Sequence, residues 1–150
     1  MRSIALALFC ALALSGCWFG GVDRNLYKGY GTSFGTYVAS SSVNAFCLTP
    51  RLRLLILKFE SYFGGKIVMS SGYRDPSHNA SVGGVDNSFH MKCMAADIFI
   101  PGVDKRKLIA FAMREPLVGG LGCYPGRSFI HVDVRARPNG WRKPVTFSGC

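Results

Sequence analysis

The stretch LTPRLRLLILKFESYFGG, residues 48–65, carries apolar side chains at Leu52, Leu55, Ile56, Phe59 and Phe63. That spacing predicts an amphipathic helix with its apolar stripe in the core. Thr49 suits the N-cap, Pro50 the first turn, and Gly64 and Gly65 the end. A second helical pattern, DKRKLIAFAMRE, starts at Asp104, which suits its N-cap. Three short runs read as strands: KIVMSSGY, AADIFIP and FIHVDVRAR. In the last, Ile130, Val132 and Val134 alternate with Phe129, His131, Asp133 and Arg135. Alternation sends the first set to the core and the second to the opposite face. His131 and Asp133 therefore stand side by side. A purely structural strand has little use for His, Asp and Arg on one covered face.

The connections are rich in Gly and Pro. RDPSHNASVGGVDNS, residues 74–88, predicts a long loop, and loops of that length in a compact domain are often functional. VGGLGCYPGRS, residues 118–128, predicts a second glycine-rich loop, and PNGW a turn. Residues 18–42 are rich in Gly, Ser, Thr and Tyr without helical periodicity, which predicts a tether and an irregular arm. The elements add up to an α+β domain: a small, mainly antiparallel sheet with helices on one side and an open face. A chain of 150 residues is long enough for one such domain with a real core.

The N-terminus reads differently. MRSIALALFCALALSGC has one positive charge at Arg2 and an apolar run too short to span a bilayer as a helix. It ends in Leu14-Ser15-Gly16-Cys17, which resembles a bacterial lipoprotein box. Residues 1–16 are thus expected to be a signal peptide and 17–44 a lipidated tether and arm, with the domain over 45–150. Cys17 would carry the lipid, and two or more acyl chains would anchor the protein stably. The expected location is the cell envelope, on the outer membrane facing the periplasm.

Export changes how the cysteines read. Cys47, Cys93, Cys123 and Cys150 remain, an even number in an oxidising compartment, which suggests two disulfides with three possible connectivities. No C-x-x-C pair supports a thiolate zinc site. The net charge of +10 would ordinarily suggest nucleic acid. An exported lipoprotein has likelier anionic partners in the cell wall and lipid headgroups, so no nucleic-acid role is assigned.

The chemistry concentrates in SFHMKCMAAD, which sets His90 seven residues before Asp97. With His131 these make two imidazoles and a carboxylate, a ligand set that suits Zn2+ and leaves a fourth position for water. Zinc lowers the pKa of such a water towards neutrality. The spacing alone is weak, and a solvated loop histidine is the plain alternative for His90 and for His78.

SGYRDPSHNASVGGVDNSFHMKCMAADI, followed by GGLGCYPGRSFIHVDV and Trp141, resembles the zinc D-alanyl-D-alanine peptidases of the cell wall, a superfamily sharing a hedgehog-like fold. It is most similar to the exported murein peptidases with an HVD motif. The resemblance covers residues 70–141. It implies that His90, Asp97 and His131 are the zinc ligands, and that Arg74 holds a substrate carboxylate or the developing oxyanion. It implies that Asn79, Ser88, Gly83 and Gly84 shape the substrate side of the site. Many relatives carry an acid three residues before the last histidine; here that residue is Ser128. Asp133 is then the base or a carboxylate that orients a ligand. Cys93 stands where related motifs have glycine. With Cys123 in the other loop flanking the metal, the resemblance implies Cys93–Cys123 and Cys47–Cys150. The expected function is a lipid-anchored, monomeric zinc peptidase acting on peptidoglycan peptides. The alternative is a non-catalytic wall-binding lipoprotein of the same fold.

Overall fold

The computed structural model describes residues 22–150. The expected signal peptide and the lipidation of Cys17 lie outside the described residues. Seven strands form one sheet in the order β1-β2-β3-β4-β6-β5-β7. They are β1 (Gly31–Ser33), β2 (Thr36–Val38), β3 (Val68–Ser71), β4 (Ala95–Phe99), β5 (Gly120–Gly122), β6 (Ile130–Asp133) and β7 (Val145–Phe147). Three α-helices accompany them: α1 (Pro50–Phe63), α2 (Pro76–Ser81) and α3 (Lys105–Ala112).

The α+β expectation holds, but the sheet is mixed rather than mainly antiparallel. β2 pairs with β3 and β5 with β7 in parallel. Parallel neighbours need a crossover, and α1 supplies it between β2 and β3. The hairpin of β1 and β2 corrects a second expectation. Residues 31–38, expected within an irregular or weakly extended arm, form an edge of the sheet. The loop after Arg74 also gains structure, because Asp75 caps α2 by accepting a hydrogen bond from His78 N at 3.0 Å.

Both long helices follow their sequence signals. The Thr49 side chain accepts from Leu52 N, Pro50 occupies the first turn, and Gly64 closes α1 in the left-handed conformation. Asp104 caps α3 through Arg106 N. Leu52, Leu55 and Phe59 from α1 and Leu108 and Ala112 from α3 are fully buried against Ile98, Ile130 and Val132 of the sheet. That face is the core. The other face of β4 and β6 carries Asp97, His131 and Asp133, as period-two alternation requires.

The expected glycine-rich loop at 118–128 contains strand β5. Its glycines are a packing requirement. A Cβ on Gly120 would collide with the Asp133 carboxylate and Arg135 Nε, and one on Gly119 with the Arg135 backbone. A Cβ on Gly122 would press on Phe147 and His131. β5 is a strand because its neighbours hold it, not because its residues favour extension.

The disulfides are Cys47–Cys93 and Cys123–Cys150, which overturns the expected pairing. Two backbone contacts explain it. Thr49 N donates to Cys93 O at 3.0 Å, so the start of α1 sits on the loop that carries Cys93. β7 runs beside β5, and Tyr124 N donates to Ser148 O at 2.7 Å, which brings Cys150 to Cys123. Cys93 has φ of +57°, the left-handed region, which is why glycine suits that position in related motifs.

Gly120→Ala should destabilise the fold by about 1–3 kcal/mol through overpacking. Urea unfolding of the variant beside Gly31→Ala, whose Cβ would meet only the Val38 side chain at ordinary contact distance, tests this.

Candidate active site

Register brings the first two residues together. Asp97 on β4 lies directly opposite His131 on β6, and Ser71 on β3 flanks Asp97 on the other side. His90 comes from a turn outside the sheet and is anchored separately. Its backbone N–H donates to Ser88 Oγ at 3.3 Å, and its Nδ1 lies 2.6 Å from Gly72 O. All three side chains are buried.

The hydrogen-bond partners decide the tautomers. A carbonyl oxygen only accepts, so the proton of His90 sits on Nδ1 and Nε2 is left as a lone pair. His131 Nε2 lies 3.2 Å from Asp133 Oδ2, and a carboxylate accepts. The His131 proton therefore sits on Nε2, and Nδ1 is the lone pair. These bare nitrogens face each other at 3.1 Å. Both face Asp97 Oδ1, at 3.3 Å from His90 Nε2 and 3.0 Å from His131 Nδ1. Three electron-pair donors converge with no proton between them. Such a cluster calls for a cation, and its donor set and spacing suit a metal ion.

The electrostatics of the cluster carry the same demand for positive charge. Burial works against charge on Asp97, but the His131 and His90 imidazoles beside it outweigh that and hold the carboxyl below its usual range. Burial also opposes charge on His131, yet Asp133 and Asp97 beside it raise its pKa.

The cluster lies on the wall of a cavity of about 930 Å³. Arg74, expected to hold a substrate anion, lines this cavity but is partly committed. Its Nη2 donates to Asp97 Oδ2 and its Nε to Ser71 Oγ, each at 2.8 Å. Ser88 also lines the cavity. Asn79 does not, among the residues that line it. Its buried side chain donates to Val85 O at 3.0 Å, and its backbone carbonyl accepts from Gly84 N. It shapes the loop, and Gly83, Gly84 and Val85 of that loop form cavity wall. His78 is exposed and lines the cavity.

Of the two roles expected for Asp133, base or orienting carboxylate, its placement fits the second. It lies behind His131, on the ring edge opposite the donor cluster. It is completely buried, and Arg135 grips it, Nε donating to Oδ1 at 2.8 Å and to Oδ2 at 2.9 Å. Burial opposes its charge, but His131 and Arg135 hold its carboxyl down to about 2. A carboxylate so placed and so acidic orients an imidazole rather than taking a proton from the cavity. Arg135 was not singled out from the sequence as a site residue, although its alternation with His131 and Asp133 was a usable signal.

A sequence model of the Peptidase M15 family matches residues 29–133. This chain belongs to that family. The matched region runs from the β1–β2 hairpin to Asp133 and so includes all three donor residues. Among curated proteins, a probable peptidoglycan L,D-endopeptidase MepK from Haemophilus influenzae is 43% identical over 76 residues. That alignment covers 46% of this chain and 39% of the relative, so the M15 chain spans well under half of that protein. No solved structure matches.

The Asp133 pair with Arg135 and His131 should make stability depend on acid. A carboxyl whose pKa falls from 3.8 to about 2 on folding adds stability above pH 4 that fades as pH drops towards 2. The gain is on the order of 2 kcal/mol. The melting temperature of Asp133→Asn, followed from pH 7 to pH 2.5 in chelator, should lie below wild type at neutral pH and approach it in acid.

Proposed function

We propose that this M15 chain is a zinc-dependent peptidase that hydrolyses amide bonds in peptidoglycan peptides. The observation that carries the reading is the convergence of His90 Nε2, Asp97 Oδ1 and His131 Nδ1 as three unprotonated donors on the wall of one cavity. His90, Asp97 and His131 would hold the ion. Bound zinc would supply a Lewis acid and a water made nucleophilic near neutral pH.

The rest of the chemistry belongs to the chain. Asp133 holds the His131 proton on Nε2 and keeps Nδ1 bare. Gly72 O does the same for His90 from the other side. Arg74 occupies Asp97 Oδ2 and keeps one carboxylate oxygen turned to the donor cluster, while its Nη1, without a partner among the described residues, would meet a substrate oxygen. Proton transfer falls to His78, because Asp97 is the only carboxylate lining the cavity among the described residues. An imidazole nitrogen can both accept and return a proton.

Kinship with a probable peptidoglycan L,D-endopeptidase supports the substrate class. Two disulfides support export to an oxidising envelope compartment. Lipid attachment at Cys17 completes the reading and is checked by release of a Cys17→Ser variant from membranes.

Protein purified oxidised and without chelator should hold about one zinc per chain, as expected for a three-ligand site with an open fourth position. His131→Ala should lose the metal. Asp133→Asn should keep it with affinity lowered about 10- to 100-fold. A folded wild type that takes up no zinc would sink the reading. In murein digestion followed by chromatography, His78→Ala should retain zinc and lose about 100-fold or more in turnover.

A further inference from the structure

Three guanidinium groups reach the cavity, those of Arg74, Arg127 and Arg135. Two are wholly or partly engaged by protein carboxylates. Arg74 is bound to Asp97 and Ser71. Arg135 is bound to Asp133, with its planar face 4.2 Å from the Phe89 ring. Arg127 is different. Among the described residues its side chain makes no hydrogen bond or ion pair, although it lines the cavity and is exposed.

The turn that carries Arg127 is built with care. Arg127 N donates to Tyr124 O at 3.1 Å. The Lys105 ammonium reaches from α3 and donates to both Tyr124 O and Arg127 O, each at 2.8 Å. The Cys123–Cys150 disulfide and the Tyr124 N to Ser148 O bond fix the turn at its start. Gly126 takes φ of +79° inside it. One cation is thus used to clamp the backbone that presents another. A clamped backbone lowers the ordering cost of binding through the side chain it carries.

We infer that Arg127 is a specificity-determining residue that captures a free carboxylate of the substrate, away from the bond that is cut. The inference rests on the peptidase reading above and deepens it: the preferred substrates are acidic peptides. A guanidinium suits the task because it keeps its charge and forks onto both carboxylate oxygens. The cavity offers no competing acid, since its one carboxylate, Asp97, is already shared between Arg74 and the imidazoles.

The test is a cycle between protein and peptide. The full chain as wild type, Arg127→Ala and Arg127→Lys is titrated, in EDTA so that nothing is cleaved, with a murein stem peptide and with the same peptide amidated at one carboxylate at a time. Removing the metal affects every member of the set alike, so comparisons within the set stand. One amidation should weaken binding to wild type roughly three- to tenfold, as expected for a partly exposed charged pair. Arg127→Ala should bind acid and amide alike at that position, with Arg127→Lys in between. Equal discrimination by wild type and Arg127→Ala, or no binding at all, would overturn the inference. Metal-loaded wild type is then assayed for cleavage of the unmodified peptide. Carboxylate-dependent binding through Arg127 without any cleavage would leave the inference standing and remove the peptidase reading. Cleavage with equal discrimination in both proteins would do the reverse.

Discussion

The site depends on the register between β4 and β6. Asp97 opposes His131 and Ala95 opposes Asp133. Side chains alternate with period two, so a slip of one residue would turn Asp97 into the core and Ile98 out of it. What prevents the slip is the reverse face of the same strands. Ala96, Ile98, Ile130 and Val132 are all fully buried under α1 and α3. Apolar burial on one face therefore sets the donor geometry on the other. His90 lies outside this arrangement, and its anchoring is correspondingly separate: a Ser88 hydroxyl, the Gly72 carbonyl, and a turn tied to the start of α1 through Cys47–Cys93.

Holding a carboxylate completely buried at position 133 has a structural consequence next door. An isolated ion there would be costly to desolvate, so Asp133 is matched by Arg135 and by the His131 N–H. That group needs room, and the room comes from Gly120 on β5 and from Gly119 just before it. Glycine weakens a strand interior. β5 is held instead by β6 on one side, β7 on the other, and the Cys123–Cys150 bridge at its end. The glycines, the second disulfide and the ion pair form one solution.

The same coupling explains what could be read from the sequence. α1 and α3 carried long periodic patterns with good caps, and both formed where those signals placed them. The alternation of FIHVDVRAR was enough to put His131 and Asp133 on one face away from the core. β1, β2, β5 and β7 are three residues each, too short to show a periodic pattern, and Gly31, Gly120 and Gly122 leave β1 and β5 little intrinsic strand preference. They are strands through their partners, which local pattern cannot reveal. The disulfide pairing was hidden for the same reason, since it follows from the parallel placement of β7 on β5. The orientation of Asp133 was hidden too. Spacing put it beside His131, but which ring nitrogen it meets is set by Arg135 and the space over Gly120.

Asp97 shows how a single carboxylate can serve two neighbours without conflict. Oδ2 is taken by Arg74 Nη2 at 2.8 Å, and Oδ1 is left to the two imidazoles. With Arg74 in place, the carboxylate would offer one oxygen rather than a symmetric pair to an ion at the donors. That favours three single-atom donors and an open fourth position over a closed site. Arg74 is in turn held by Ser71, the residue paired with Asp97 across β3 and β4. The arginine from the SGYR turn is thus fixed by the sheet it helps to tune. This leaves Arg127 as the cavity guanidinium without a side-chain partner among the described residues.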